Sequence, residues 1–462
     1  MVKMKPYETF RRLAIAFTLL CWLIQPGLAA AQTPAKEKTQ APVTSSVPVA
    51  PPASPLSEQL AATPPQSEVL YGLQGVLVET LDGRTVATQS ADVRFNPASA
   101  IKLATSLMAL KTFGINHRFV TGVWTNGTFD KPTGTINGNL YISGRDPSFH
   151  FEHAVMIARQ LNTLGIKTVS GDLVVAPGFT MNFNWSARRS GEQFYDTLDS
   201  TLRSAPATRA WTYERTAVGD TVSLQTVPSV AVMGEVRVET VGTEAKLLMA
   251  HKSSRLVDIL KVLLCYSNNF MAERLGDTMG GTQSVENQVI TSLGLPSNEF
   301  QISSLSGLGV NRVTPRAMMK IFRALRDELK KNKLTTADIM PVAGIDPGTL
   351  EDRFVEPSSR GSVIAKTGTL IRTDGGASAL VGQLRTLSGE TLLFVIMNQR
   401  GSVLRFRENQ DFLVKQIQDS RGGPRPFAYK PHMLAMKLAD TEHSFTSESE
   451  EFEPRAKVHP NP

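Results

Sequence analysis

NPASAIKLATSLMAL, residues 96–110, places a serine three residues ahead of a lysine where a loop turns into a helix. Leu103, Leu107 and Leu110 recur at helical spacing and predict a helix from about Ser99 to Phe113. The start of such a helix presents unpaired N–H groups and a partial positive charge, so a serine oxygen there sits where negative charge is favoured. Lys102 follows one turn on, on the same face. Burial disfavours an ammonium, and a neutral lysine can take the serine proton, which makes a nucleophile without histidine. Taken alone, the pair fits a capping serine and a lysine stem lying along apolar surface at least as well.

Two further stretches shift that balance. YSNN, 266–269, offers Ser267 and Asn269 with one residue between them, at a break between two helical runs. AKTGTL, 365–370, puts Lys366, Thr367 and Gly368 on an expected strand, where the lysine can hold a carboxylate, the threonine can donate to it and glycine admits a close approach. S-x-x-K, S-x-N and K-T-G, in this order, form the motif set of the penicillin-recognising serine enzymes.

FNPASAIKLATSLMAL (95–110), GNLYISGRDPSF (138–149), HKSSRLVDILKVLLCYSNNFMAERL (251–275), SGLGVNRVTP (306–315), MPVAGIDPGTLEDRF (340–354) and VIAKTGTLIRTDGGASALVGQL (363–384) resemble successive blocks of one family. It is the class C low-molecular-mass penicillin-binding proteins, D-alanyl-D-alanine carboxypeptidases and endopeptidases. The resemblance covers roughly residues 70–420. It implies an α+β fold, a transpeptidase/β-lactamase-like antiparallel sheet flanked by helices, with a smaller β-rich domain inserted between the first two motifs. The 168 positions from Ser99 to Ser267 leave room for such an insert. The domain expectation is thus a catalytic domain over 68–114 and 251–420 and an insert over 115–250.

The resemblance implies that Ser99 is acylated with Lys102 as its base, and that Ser267 relays the proton to the leaving amine. Asn269 would bond the substrate amide, while Lys366, Thr367 and Thr369 hold the terminal carboxylate beside Gly368. The N–H groups of Ser99 and Thr369 would form the oxyanion hole. Peptidoglycan stem peptides are the implied substrates and β-lactam antibiotics the implied inhibitors; no cofactor or metal is called for. The chain departs from the pattern at three points. Asn268 stands where an aspartate is common, Pro347 interrupts the usual Asp-Gly-Thr-Leu, and Ser304-Leu305 replaces an acidic-glycine pair before SGL. The insert is also short for the family. These bear on substrate preference and rate. A serine β-lactamase is the alternative activity, disfavoured by the long insert, and a non-catalytic peptidoglycan-binding protein is the alternative from another class.

Outside this body the chain reads differently. Lys3, Lys5, Arg11 and Arg12, the apolar run Leu13 to Ile24 and Ala29-Ala30-Ala31 predict a signal peptide over 1–31. An exported protein of the periplasm or cell envelope follows, with no transmembrane anchor once the signal is cleaved. Cys265 is then the one cysteine left, so no internal disulfide is expected. Residues 32–67 are rich in Pro, Ala, Ser and Thr and predict a disordered linker; 421–462 shows no sustained period and predicts a flexible tail. The full-length net charge of +7, partly carried by the signal, is too weak to argue for nucleic acid.

Within the body, GVLVETLDGRTVATQS (75–90) predicts a hairpin about Asp82-Gly83. Helices are expected over 151–164 and 315–331, and from about 404 to 418, with three strands between 361 and 400. His150 and His153 in HFEH lack a third ligand at a suggestive spacing and read as ordinary surface or core histidines. G-x-S-x-G, P-loop and C-x-x-C patterns are absent, which argues against an α/β-hydrolase, a nucleotide enzyme and a redox protein.

Overall fold

The computed structural model describes residues 72–217, 219, 226–431 and 433–445. The expected signal peptide, the linker and residues 446–462 of the expected tail lie outside the described residues.

Strands β1 (Leu73–Thr80) and β2 (Thr85–Gln89) form the hairpin about Asp82-Gly83. A 3-10 turn, Ala98–Ile101, runs into α1 (Lys102–Phe113). The insert follows with β3 (Val120–Thr125), β4 (Leu140–Gly144), α2 (Phe151–Thr163), β5 (Leu173–Val175), β6 (Val236–Val238) and β7 (Lys246–Lys252). The chain returns through α3 (Leu256–Tyr266), α4 (Asn269–Asp277) and α5 (Pro315–Lys331) to β8 (Val363–Leu370), β9 (Ala377–Arg385) and β10 (Thr391–Gln399). It closes with α6 (Val403–Asp419), α7 (Leu434–Leu438) and β11 (Glu442–Phe445).

The five-stranded sheet is antiparallel in the order β8-β9-β10-β1-β2, so the first strand lies against β10, with Leu77 opposite Val395. Its central strands are apolar almost without interruption because both faces are covered. Alternate side chains serve the two layers: Val381, Val395 and Met397 join Leu103, Leu107 and Phe322 among the helices, while Leu380, Phe394 and Ile396 pack with Leu413, Val414 and Ile417 of α6. Local chemistry fixes the helix ends. Thr314 caps α5 by accepting from the Ala317 N–H at 3.0 Å, with Pro315 in the first turn, and Ser402 caps α6.

The insert has a six-stranded sheet, β6-β5-β4-β3-β7-β11, and a core of its own in which Val123, Ile142 and Val175 meet Ala154, Ile157 and Leu161 of α2. Its last strand reaches Lys252, two residues past the expected limit. Helices Ala187–Leu198 and Ala205–Ala217 also belong to it; the first is amphipathic, with Phe194 and Leu198 buried, whereas the second carries too weak an apolar period to reveal it in sequence.

Residues 421–445 are not the flexible tail expected from position 421. The Phe427 N–H donates to Gly361 O at 2.8 Å, Leu434 and Leu438 are buried in the helical core, and β11 pairs with β7, Ser444 opposite Ala250. This strap builds no layer of its own. It drops single apolar residues into sites on other elements, so its sequence carries no period to read.

Candidate active site

Ser99 stands in the 3-10 turn ahead of α1, behind Ala98, which takes a left-handed conformation at φ +47°. Such a residue costs about 1–3 kcal/mol and persists only where its surroundings hold it. They do so here: Asn96 Oδ1 accepts from the Ala98 N–H at 3.1 Å, and Asn96 Nδ2 donates to Gly309 O at 2.9 Å and to Asp374 at 2.7 Å. Asp374 is in turn gripped by Arg312 at 2.7 and 2.9 Å.

Two glycines clamp the same turn from opposite sides. A Cβ on Gly307 would lie 2.0 Å from Ala98 O, and one on Gly368 would lie 2.2 Å from Pro97 O. Gly307 also has φ +86°. We expect Gly307→Ala to displace the turn that carries Ser99, costing about 1–3 kcal/mol or more and slowing acylation by a β-lactam at least tenfold. Thermal unfolding and acylation kinetics check this; wild-type values for both would contradict the contact.

Lys102 is fully buried, with Nζ 2.9 Å from Ser99 Oγ, 2.8 Å from Asn269 Oδ1 and 2.5 Å from Ser306 O. Desolvation holds its ammonium well below the ordinary lysine value; Lys366 adds repulsion, and Glu273 opposes the shift. An amide oxygen and a backbone carbonyl can only accept. The two N–H bonds of a neutral amine therefore go to Asn269 and Ser306, and its lone pair faces Ser99 Oγ. In that form Lys102 can receive the serine proton; an ammonium would instead donate to all three acceptors.

Ser267 ends α3 in the left-handed region at φ +54°, which breaks the helix and turns its hydroxyl toward β8. There Lys366 Nζ, also buried, reaches Ser267 Oγ at 2.8 Å and Thr367 O at 2.7 Å, and burial pulls its ammonium down to about 7. Asn269 opens α4, and Asn268, at the position where an aspartate is common, caps that helix by accepting from the Met271 N–H at 2.9 Å. The departure in the middle motif is thus a structural substitution of one cap for another. Thr367 and Thr369 follow Lys366 on the edge strand β8. The three motifs form two hydrogen-bonded chains, Ser99–Lys102–Asn269 and Ser267–Lys366–Thr367.

Glu273 was not singled out in sequence. It stands one turn after Asn269 and accepts from the N–H groups of Ser306 at 2.8 Å and Leu305 at 3.3 Å, which fixes the loop whose carbonyl holds Lys102. Its spacing from Asn269 on one helical face is the signal that could have found it. Asp346, in GIDPGTL, is buried and accepts from Lys261 Nζ, the Val342 N–H and Tyr429 OH, while the Thr349 N–H bonds Cys265 O just before Ser267. That block braces the middle motif from behind. Cys265 is buried, its thiol pushed up to about 12 by desolvation. His150 and His153 lie at the start of α2; His153 Nδ1 accepts from the His150 N–H at 3.1 Å and Nε2 donates to Leu438 O at 2.8 Å, tying the strap to the insert.

The model of the D-Ala-D-Ala carboxypeptidase 3 (S13) family matches residues 56–230 and 197–417. The chain belongs to the S13 family. It is a serine-type D-Ala-D-Ala carboxypeptidase with an S13 fold of antiparallel sheet, helices and additional small sheets. Among S13 relatives it is similar to the D-alanyl-D-alanine carboxypeptidase of Actinomadura sp. (strain R39), 26% identical over 450 residues that cover 76% of this chain and 82% of that one. It is also similar to the D-alanyl-D-alanine carboxypeptidase DacB of Haemophilus influenzae, 28% identical over 167 residues, 33% of each chain. Two solved structures share the fold. The predatory endopeptidase Bd3459 of Bdellovibrio bacteriovorus, in complex with immunity protein Bd3460, superposes with a TM-score of 0.65 at 22% identity, covering 78% of this chain and 97% of that chain. Penicillin binding protein 4 (dacB) of Haemophilus influenzae, complexed with a β-lactam, does so with a TM-score of 0.58 at 18% identity, covering 79% and 98%. Among the described residues of this S13 peptidase no helix is long and apolar enough to cross a membrane, and no group of three or more His, Cys, Asp or Glu is placed to hold a metal ion.

Proposed function

We propose that the enzyme cleaves the terminal D-Ala-D-Ala bond of peptidoglycan stem peptides, and the equivalent bond of peptide cross-links, through an acyl-enzyme on Ser99. The observation that carries this reading is the placement of buried Lys102, whose Nζ lies 2.9 Å from Ser99 Oγ and within hydrogen-bond reach of Asn269 Oδ1 and Ser306 O, so that the neutral amine can keep its two N–H groups on those acceptors and turn its lone pair to Ser99.

Lys102 takes the Ser99 proton as Oγ attacks the penultimate carbonyl. The Ser99 and Thr369 N–H groups receive the oxyanion, an interaction worth roughly 3–4 kcal/mol for one donor. Ser267, poised on Lys366, relays to the leaving amine the proton that Lys102 took from Ser99, as the C–N bond breaks; water then hydrolyses the ester, its own proton returning to Ser99 Oγ as the acid product leaves. Asn269 orients the substrate amide, while Lys366, Thr367 and Thr369 line the carboxylate side and Gly368 lets the acyl chain lie close along β8. β-Lactams, whose strained amide mimics this bond, acylate the same serine. The protein acts in the periplasm or cell envelope, where this substrate occurs.

Purified cross-linked and uncross-linked muropeptides supply the test. Release of D-alanine from the second and resolution of the first are expected, both abolished by prior β-lactam treatment; turnover of neither by folded protein would refute the assignment.

The coupling of the two lysines gives a second test. Acylation needs neutral Lys102, so its rate rises as pH rises through the Lys102 pKa. Lys366→Ala removes a positive neighbour and raises that pKa, so the acid limb of the acylation profile moves to higher pH. An unmoved limb, or a shift to lower pH, would contradict the coupling.

A further inference from the structure

Arg407 lies on the second turn of α6 and donates from Nη2 to Thr369 Oγ1 at 2.7 Å, at the end of the KTGT strand. Its position is built into the register of the sheet. Thr369 pairs with Ser378, and Ser378 with Asn398, forming one row across β8, β9 and β10. One turn after Arg407, the buried Gln410 donates to Ser378 Oγ at 3.1 Å and to Asn398 Oδ1 at 2.9 Å. The helix is thus pinned to the row that ends in Thr369. Asp411, the next residue after Gln410, is bonded by Arg353 through Nε at 3.0 and 3.1 Å, and Arg353 also donates to the Arg407 carbonyl, so that carboxylate is shared with a second guanidinium. Arg407 itself is exposed, beside the edge strand β8.

Lys366 is less suited to supply a standing charge here. It is buried, its short contacts are Ser267 and Thr367, and desolvation brings it down to about 7. An arginine keeps its charge throughout the working pH range, and its planar fork matches a carboxylate. A Thr369 hydroxyl that accepts from Arg407 points its own hydrogen away from the guanidinium, ready to donate.

We propose that Arg407 is a specificity-determining residue: with Thr369 it recognises the free α-carboxylate of the leaving residue and sets the preference for substrates that carry one. The proposal rests on the reading of Ser99 and the K-T-G strand given above. It assigns to α6, outside all three motifs, the fixed cation of the site.

The test compares N-acyl-D-alanyl-D-alanine with its C-terminal amide in wild type, Arg407→Gln and Arg407→Lys, alongside the stoichiometry of β-lactam labelling at Ser99. Arg407→Gln is expected to lower kcat/KM on the free acid by about 10- to 100-fold, mainly through KM, and at least tenfold more than on the amide. Arg407→Lys recovers part of the difference. An unchanged acid-to-amide ratio in Arg407→Gln, with Ser99 still labelled, overturns the role of Arg407 and leaves the site intact. Equal losses on both substrates with a lowered melting temperature overturn it as well, showing a structural contact. Wild-type protein that labels elsewhere than Ser99 removes the underlying reading, and the proposal with it.

Discussion

A Ser99→Ala protein is expected to take up no β-lactam covalently and to lose carboxypeptidase activity by about 10⁴-fold or more, the scale seen when a nucleophile is removed from groups that act as a unit. The wild-type protein should acquire one adduct, and peptide mass spectrometry should place it on Ser99. The adduct persists because the leaving group of a β-lactam stays tethered and cannot diffuse away. The substitution should leave the fold intact: the Ser99 hydroxyl is bonded to Lys102, while the strained turn is held independently by Asn96 and Asp374. An unchanged melting temperature checks that point. An adduct on another residue would overturn the mechanism. Absence of any adduct on folded wild type would favour a non-catalytic peptidoglycan-binding protein, and release within seconds a β-lactamase.

Lys102→Ala should slow acylation by about 10²- to 10⁴-fold, the usual contribution of a general base. It should also abolish the acid limb of the pH profile, since the group that must lose its proton is gone. The sign for stability is separate. Lys102 has a folded-state pKa below its unfolded value, so the unfolded chain binds the extra proton between those two values, and stability rises with pH across that window. Lys102→Met should flatten this rise while retaining most of the buried stem. Stopped-flow acylation and denaturant unfolding at several pH values measure the two effects; a wild-type acylation rate in Lys102→Ala would remove the lysine from the chemistry.

The candidate site residues were legible in sequence because each sits beside an element boundary that leaves a mark. Ser99 opens a helix with leucines at helical spacing, Ser267 breaks two helical runs, and Lys366 lies on a strand. Their convergence on one cleft is a property of topology, and it was reached through the family resemblance. Glu273 and Arg407 were missed for a physical reason. Each is a charged residue on a half-polar helix, where the period shows which face is buried but not what a polar side chain will meet. The strap was misread because composition reports whether a segment can build a core, whereas residues 421–445 complete the cores of others. The extra proline in GIDPGTL raised a question of substrate choice, yet Asp346 and Thr349 serve as a brace behind Ser267.

The pairing of β11 with β7 also fixes an order of events. Lys252 and Glu442 are partners, 190 positions apart in a chain made from its N-terminus. Through that interval one side of β7 offers unpaired backbone groups, a template on which another copy could add a strand. Long-range pairing of this kind is slow to form and open to misassembly. The open edge of β7 therefore outlasts the synthesis of every site residue, since Glu442 follows Thr369 and Arg407 in the chain, and its exposure ends only when residues 442–445 arrive.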